Sequence, residues 1–128
     1  MTWLKALGLD LAWVLVFAAI GRVSHGEAAD PGGILMTAWP FAVALVGTTM
    51  VMIGLKRPTD QLLNGAVVWA GTLGFGMWMR AGAGEGVQVS FMVVAGIFLA
   101  LGMIGWRLID ARRSRTADPV DPVDTTAR

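Results

Sequence analysis

The sequence predicts an all-α integral membrane protein, a bundle of four antiparallel transmembrane helices. Three observations carry that reading. Hydrophobic residues make up 55% of the chain and charged residues only 15%, where soluble domains run nearer a quarter charged. The charges are bunched, leaving four apolar stretches at about 3–21, 34–55, 61–79 and 87–108, each close to the ~20 residues that cross a bilayer core as a helix. The segments between them are short and rich in glycine, proline and charge. A length of 128 residues leaves room for one domain, here a four-span unit over 1–109 followed by a polar segment over 110–128.

The first span is the least clean, because it holds Lys5 and Asp10. Asp10 interrupts the approach to the apolar run and no A-x-A site follows, so a retained span is expected rather than a cleaved signal peptide. Lys5 can snorkel to the headgroups; a short aspartate cannot reach as far. Between Asp10 and Arg22 every residue is apolar or glycine, a distance of ~18 Å at the helical rise. If Arg22 marks one surface, Asp10 lies inside the hydrocarbon, where an ionisable group is expensive and needs a partner.

Residues 22–33 read as a loop, with Asp30-Pro31-Gly32-Gly33 supplying turn chemistry. The second span carries no charge and has Pro40 in its second turn, which predicts a mild kink with the freed carbonyl satisfied by a neighbour or by Thr37. Residues 56–60 form the next loop. The third span sets Ala66, Ala70 and Gly74 at four-residue spacing, as the fourth sets Gly96 and Ala100; such ridges let helices approach closely. Six tryptophans suit membrane interfaces. After Asp110, Arg112, Arg113 and Arg115 form a basic juxtamembrane patch with a possible affinity for anionic lipid. The Asp- and Pro-rich tail beyond has the composition of a disordered segment.

Four spans place both termini on one side with the loop at Lys56. That side holds Lys5, Lys56, Arg57, Arg107, Arg112, Arg113 and Arg115, against Arg22 and Arg80 opposite. The positive-inside rule makes the basic side cytoplasmic, in the cytoplasmic membrane. The two opposite loops both read R-x-x-x-G-E, at Arg22–Glu27 and Arg80–Glu85, fifty-eight residues apart, and Gly47 and Gly105 share the offset. A duplicated helical hairpin is one reading of this match.

Composition excludes several chemistries. A net charge of +1 offers no nucleic-acid surface. The absence of cysteine removes disulfides and thiolate sites. One histidine cannot build bis-His haem ligation or a zinc site, and adjacent Ser24 and His25 cannot act through each other. No metal, cofactor or catalytic residue is expected. Two polar constellations remain. Within the membrane stand Asp10, Asn64 and Arg107; the reading for Asp10 is either a proton or cation site or a structural ion pair. Depth restricts its partner to the basic side. Lys5 sits ~140° around the same helix, Lys56 and Arg57 end the second span, and Arg107 has the reach and fork geometry to grip a carboxylate, with Asn64 a neutral alternative. At the other end Arg22, His25, Glu27, Arg80 and Glu85 make an outer-face cluster. It reads as an anion or proton site, or as interfacial anchors at helix C-termini, with each arginine expected near the other's loop and paired to Glu27 or Glu85.

The run Asp10…Phe17-Ala-Ala-Ile-Gly-Arg22-Val-Ser-His25, then Thr37-Ala-Trp-Pro40-Phe41, Arg80 and Gly105-Trp106-Arg107 resembles the prokaryotic membrane proteins grouped as domain of unknown function 3054, over about residues 8 to 113. The resemblance implies a small four-span protein of the cytoplasmic membrane and no particular activity. Its motif positions fall on Asp10, Arg22, His25, Pro40, Arg80 and Arg107. The function expected is that of a non-enzymatic membrane subunit, a homo-oligomer or a partner in a larger complex. The alternative is a small transporter or channel for a proton, cation or anion, using Asp10 and the Arg22, His25 and Arg80 cluster.

Overall fold

The computed structural model describes residues 2–86 and 88–117. They form α1 (Trp3–Ser24), α2 (Pro31–Gly54), α3 (Leu62–Gly82) and α4 (Val89–Ala117), with no strand among the described residues. All four are long and apolar enough to cross a membrane; the 22 residues of α1 span ~33 Å.

The helix ends follow from capping chemistry. Thr2 accepts the Lys5 N–H at 3.3 Å to start α1. Asp30 accepts the Gly33 N–H at 3.0 Å, and Pro31 occupies the first helical position, where its missing N–H leaves no bond unmade. The Asp30–Gly33 turn expected from sequence is therefore the first turn of α2, and the helix begins earlier than residue 34. At the far end α4 runs past 108 to Ala117, so Arg112, Arg113 and Arg115 lie exposed on helix. The remainder of the expected disordered tail, residues 118–128, lies outside the described residues.

Two helices end alike. Gly26 (φ 72°) and Gly84 (φ 79°) take the left-handed conformation that a Schellman turn requires. Behind them Glu27 N–H donates to Arg22 O at 2.8 Å and Glu85 N–H to Arg80 O at 3.1 Å. The end of α2 makes the same turn without glycine: Lys56 has φ 57°, and Arg57 N–H reaches Met52 O at 2.9 Å.

Each helix packs on its chain neighbours, and α4 closes the ring against α1; among the described residues the diagonal backbones do not come within 8 Å Cα to Cα, and the α1–α4 seam is the slightest. The core is apolar, with Val14, Phe41, Leu45, Val68, Leu99 and Met103 fully enclosed. Phe17 sits among Phe41, Phe91 and Phe98 with ring centroids 5.3, 6.2 and 5.8 Å away. Outward, every helix exposes large apolar side chains, such as Leu15, Val43, Phe75 and Ile97, a surface suited to lipid. Pro40 is buried inside α2, which continues unbroken through it.

The small-residue ridge expected on α3 does not make the contacts. Ala70 and Gly74 are exposed, and nothing lies near Gly74. The buried stripe is Gly65, Val68, Thr72 and Gly76, roughly 155° around the helix from that ridge at about 100° per residue and so on nearly the opposite face. The glycines that matter are notches. A Cβ at Gly71 would collide with Thr48, one at Gly76 with Phe41, and one at Gly102 with Trp13. On α4, Gly96 is buried and faces Leu73 as a close contact. The tryptophans divide. Trp3, Trp39 and Trp78 are exposed, but Trp13 and Trp69 turn inward and donate to the α4 carbonyls of Phe98 and Gly96, both at 2.9 Å. An indole N–H in an apolar interior needs an acceptor, and these carbonyls supply it.

The turn geometry makes an opposed pair of predictions. Gly26→Ala should destabilise the protein in detergent by about 1 kcal/mol, because alanine is strained at positive φ, whereas Lys56→Gly should raise stability by up to about 1 kcal/mol. Thermal unfolding of both variants checks the two signs.

Candidate functional site

Two polar clusters stand at opposite ends of the bundle. The first is built on Arg107, whose side chain is fully enclosed, as is that of Asp10 to within 1%. Its guanidinium forks onto the carboxylate, with Nη1 donating to Oδ1 at 2.9 Å and Nη2 to Oδ2 at 2.7 Å. Nε donates to Thr59 O, and Nη1 also to Met103 O, each at 2.7 Å. Trp106 Nε1 adds a third donor to Asp10, reaching Oδ1 at 2.8 Å. Four of the five guanidinium N–H groups are thus engaged, and both carboxylate oxygens are occupied. The sequence permits this through Gly65: a Cβ there would overlap the Arg107 side chain. Arg107 therefore ties α1, the loop between α2 and α3, a notch in α3, and its own helix.

The other sequence-predicted residues of this cluster lie elsewhere. Asn64 is buried but does not meet Asp10; its Nδ2 donates to Pro58 O at 2.9 Å and to Gln61 Oε1 at 3.3 Å, fixing the same loop from below. Lys5, Lys56 and Arg57 are exposed. Sequence reasoning passed over Trp106, Thr59 and Gly65. Trp106 had a signal in its adjacency to Arg107, and Gly65 in its place one residue after Asn64; the Thr59 carbonyl had none.

The second cluster repeats one pattern twice. Arg22 Nη1 lies 3.0 Å from Glu27 Oε2, and Arg22 Nε donates to Ala28 O at 2.7 Å. Arg80 Nη1 lies 3.0 Å from Glu85 Oε2, and Arg80 Nε donates to Gly86 O at 3.1 Å. Each arginine pairs with a glutamate as expected, the partner being that of its own loop, and both pairs line one cavity. The reason is local: the Schellman turn brings the residue five positions on back over the helix end. Arg22 is held further by Asp30 at 3.7 Å and by the Thr37 hydroxyl at 3.4 Å. Asp30 and Thr37 thus belong to the cluster, and Thr37 is occupied there rather than at Pro40. Hydrogen bonds from the backbone N–H groups of Gly33 and of Asp30 itself hold the Asp30 carboxyl below its ordinary value, opposed by desolvation and helped by the Arg22 charge. A lowered carboxyl stabilises the fold above its unfolded value of 3.8 and loses that contribution as the pH falls through the folded value.

Arg80 is bound by fewer groups and instead lies over the Phe91 ring, 4.5 Å from its centroid, in a cation–π contact. His25 is exposed, and its imidazole has no hydrogen-bond partner among the described residues. Both ion pairs border a cavity of about 170 Å³ floored by Phe17. A larger one, about 600 Å³, continues from it between α1 and α4. Asp10 and Arg107 line neither cavity.

A family model described as "Protein of unknown function (DUF3054)" matches residues 7–109. No curated protein and no solved structure matches the chain.

The Gly65 notch gives a direct prediction. Gly65→Val should displace the Arg107 side chain and leave Asp10 unpaired, costing about 3–5 kcal/mol. Trp106→Phe, which removes one hydrogen bond to a charged group, should cost about 1.5–3 kcal/mol. Stability of the two variants in detergent, measured side by side, checks that order.

Proposed function

We propose that this chain, which belongs to the family described as protein of unknown function (DUF3054), is a non-enzymatic four-span subunit of the cytoplasmic membrane, working as an oligomer or as an accessory partner of a larger complex. The observation that carries this reading is the saturation of the Asp10–Arg107 cluster. A carboxylate with three donors, two of them from one buried guanidinium, is committed to holding helices together. A proton or cation carrier needs a charge that can let go of its partner and meet the transported ion.

The helices run antiparallel in this reading. Asp10, Trp13 and Phe17 of α1 meet Arg107, Phe98 and Phe91 of α4, so position falls along one helix as it rises along the other. Both termini are cytoplasmic by the distribution of Lys and Arg. The duplicated hairpin is supported by the matched turns at Gly26 and Gly84, and by Arg22 against Gly33 where Arg80 lies against Phe91, again fifty-eight residues apart. The exposed Arg112, Arg113 and Arg115 fit a role in holding anionic headgroups.

Transport is the second reading, and the cavities beside Arg22, His25 and Arg80 favour it. They stop short of Asp10, so this reading lacks a second half to its route. Extracted from its native membrane in a gentle detergent, the particle should exceed the 13.6 kDa of one chain after subtraction of the micelle, and proteoliposomes should pass protons and alkali cations no faster than empty vesicles. A monomer alone would defeat the subunit reading. A flux abolished by Asp10→Asn would replace it with transport.

A further inference from the structure

The slight α1–α4 seam opens, at the Arg22 end, into the 600 Å³ cavity. That volume falls in the range of small-molecule sites, ~300–1,000 Å³. Its walls change character along their length. The depth is aromatic, formed by Phe17, Phe91 and Phe98, whose cavity-facing surfaces can pack against a ring face-on or edge-on. The side is open past Ile20 and Val94, 48% and 62% exposed; these residues belong to the apolar outer surface of α1 and α4. With the helices in a bilayer, the cavity opens sideways among the lipid chains. Its upper end is polar, with His25, Ser24 and Arg80. Arg80 uses Nε and Nη1 on Gly86 and Glu85, so it retains donors, and the His25 imidazole is unengaged among the described residues.

We propose that this cavity binds a single uncharged amphiphile: a ring-sized head bearing carbonyl oxygens, on an alkyl or isoprenoid tail, which is the chemistry of a membrane quinone. The tail lies along the open side, and the head enters the aromatic depth with its oxygens toward the donors of Arg80 and His25. Charge decides between this and an anionic lipid. Arg80 is already neutralised by Glu85, and Glu27 stands in the same lining. Each arginine here already has its own glutamate, so a phosphate would bring a charge with no unbalanced cation to meet it, whereas a neutral acceptor needs only the spare donors. The proposal is independent of the subunit reading and requires only that the helices lie in a bilayer.

Gly21 lines both cavities, and a Cβ there meets nothing within 4 Å, so Gly21→Leu fills the site without a backbone clash. Gly47, exposed on α2 with nothing within 4 Å, is the matched control. The full chain in a non-ionic detergent is titrated calorimetrically with a decyl-substituted benzoquinone. Wild type and Gly47→Leu should bind it saturably at one site, and Gly21→Leu should weaken binding about tenfold or more. Val94→Trp, which narrows the open side from an exposed position, should weaken it as well and serves if Gly21→Leu fails to fold. Phosphatidylglycerol in the micelle should not compete. No binding, or equal binding by Gly21→Leu and Gly47→Leu, would overturn the proposal, since the second is partition into the micelle. Displacement by phosphatidylglycerol would overturn the neutral head and assign the cavity to an anionic lipid.

Discussion

Asp10 cannot stay charged in hydrocarbon without a partner, and the bundle is arranged so that Arg107 reaches it. The bidentate bond joins α1 to α4, alongside the bonds of Trp106 to Asp10 and of Trp13 to the Phe98 carbonyl. The remaining guanidinium hydrogens extend that joint to the Thr59 carbonyl and back to Met103, so one side chain sets the register of two helices and the position of a loop. Space for it depends on the missing Cβ of Gly65. Buried pairs of this kind add little net stability over a well-packed apolar substitute, yet are expensive to break from one side. Their value here is specificity. Helices in lipid gain no hydrophobic free energy from sliding against one another, and a unique polar contact selects one register among many apolar ones.

The opposite end solves a different problem. Two helices carry an arginine in their last turn, and each arginine is neutralised by the glutamate that a left-handed glycine returns over the helix end. The two turns match in residue spacing and bonding, but their surroundings differ. Arg22 meets Asp30, Thr37 and the bare backbone at Gly33; Arg80 meets the Phe91 ring. Arg22 thus bridges α1 and α2, which lie in closer contact than α1 and α4, where the larger cavity lies.

The four helices were legible because runs of apolar residues bounded by charge are a strong signal at membrane length. The contact between Asp10 and Arg107 was legible for a related reason: depth in the membrane removes most candidate partners, and fork geometry favours arginine among the rest. The finer packing was not legible. Ala66, Ala70 and Gly74 have the spacing of a helix contact, but spacing does not say which face of α3 turns inward, and Gly65 and Gly76 make the close contacts on the nearly opposite face. The start of α2 was missed because Asp30-Pro31-Gly32-Gly33 serves equally as a turn and as a capped helix N-terminus. The pairing of Arg22 and Arg80 within their own loops follows from a backbone turn that no side-chain count reveals.

The central claim is that Asp10 and Arg107 act as one unit that fixes the bundle. A double-mutant cycle with Asp10→Asn and Arg107→Gln, read as unfolding free energy in detergent, tests it most directly. Each single substitution should cost about 3–5 kcal/mol, and the double variant should cost scarcely more than either alone, because the second change removes a group the first has already orphaned. If the two losses simply add, the pair is not a unit and the account fails.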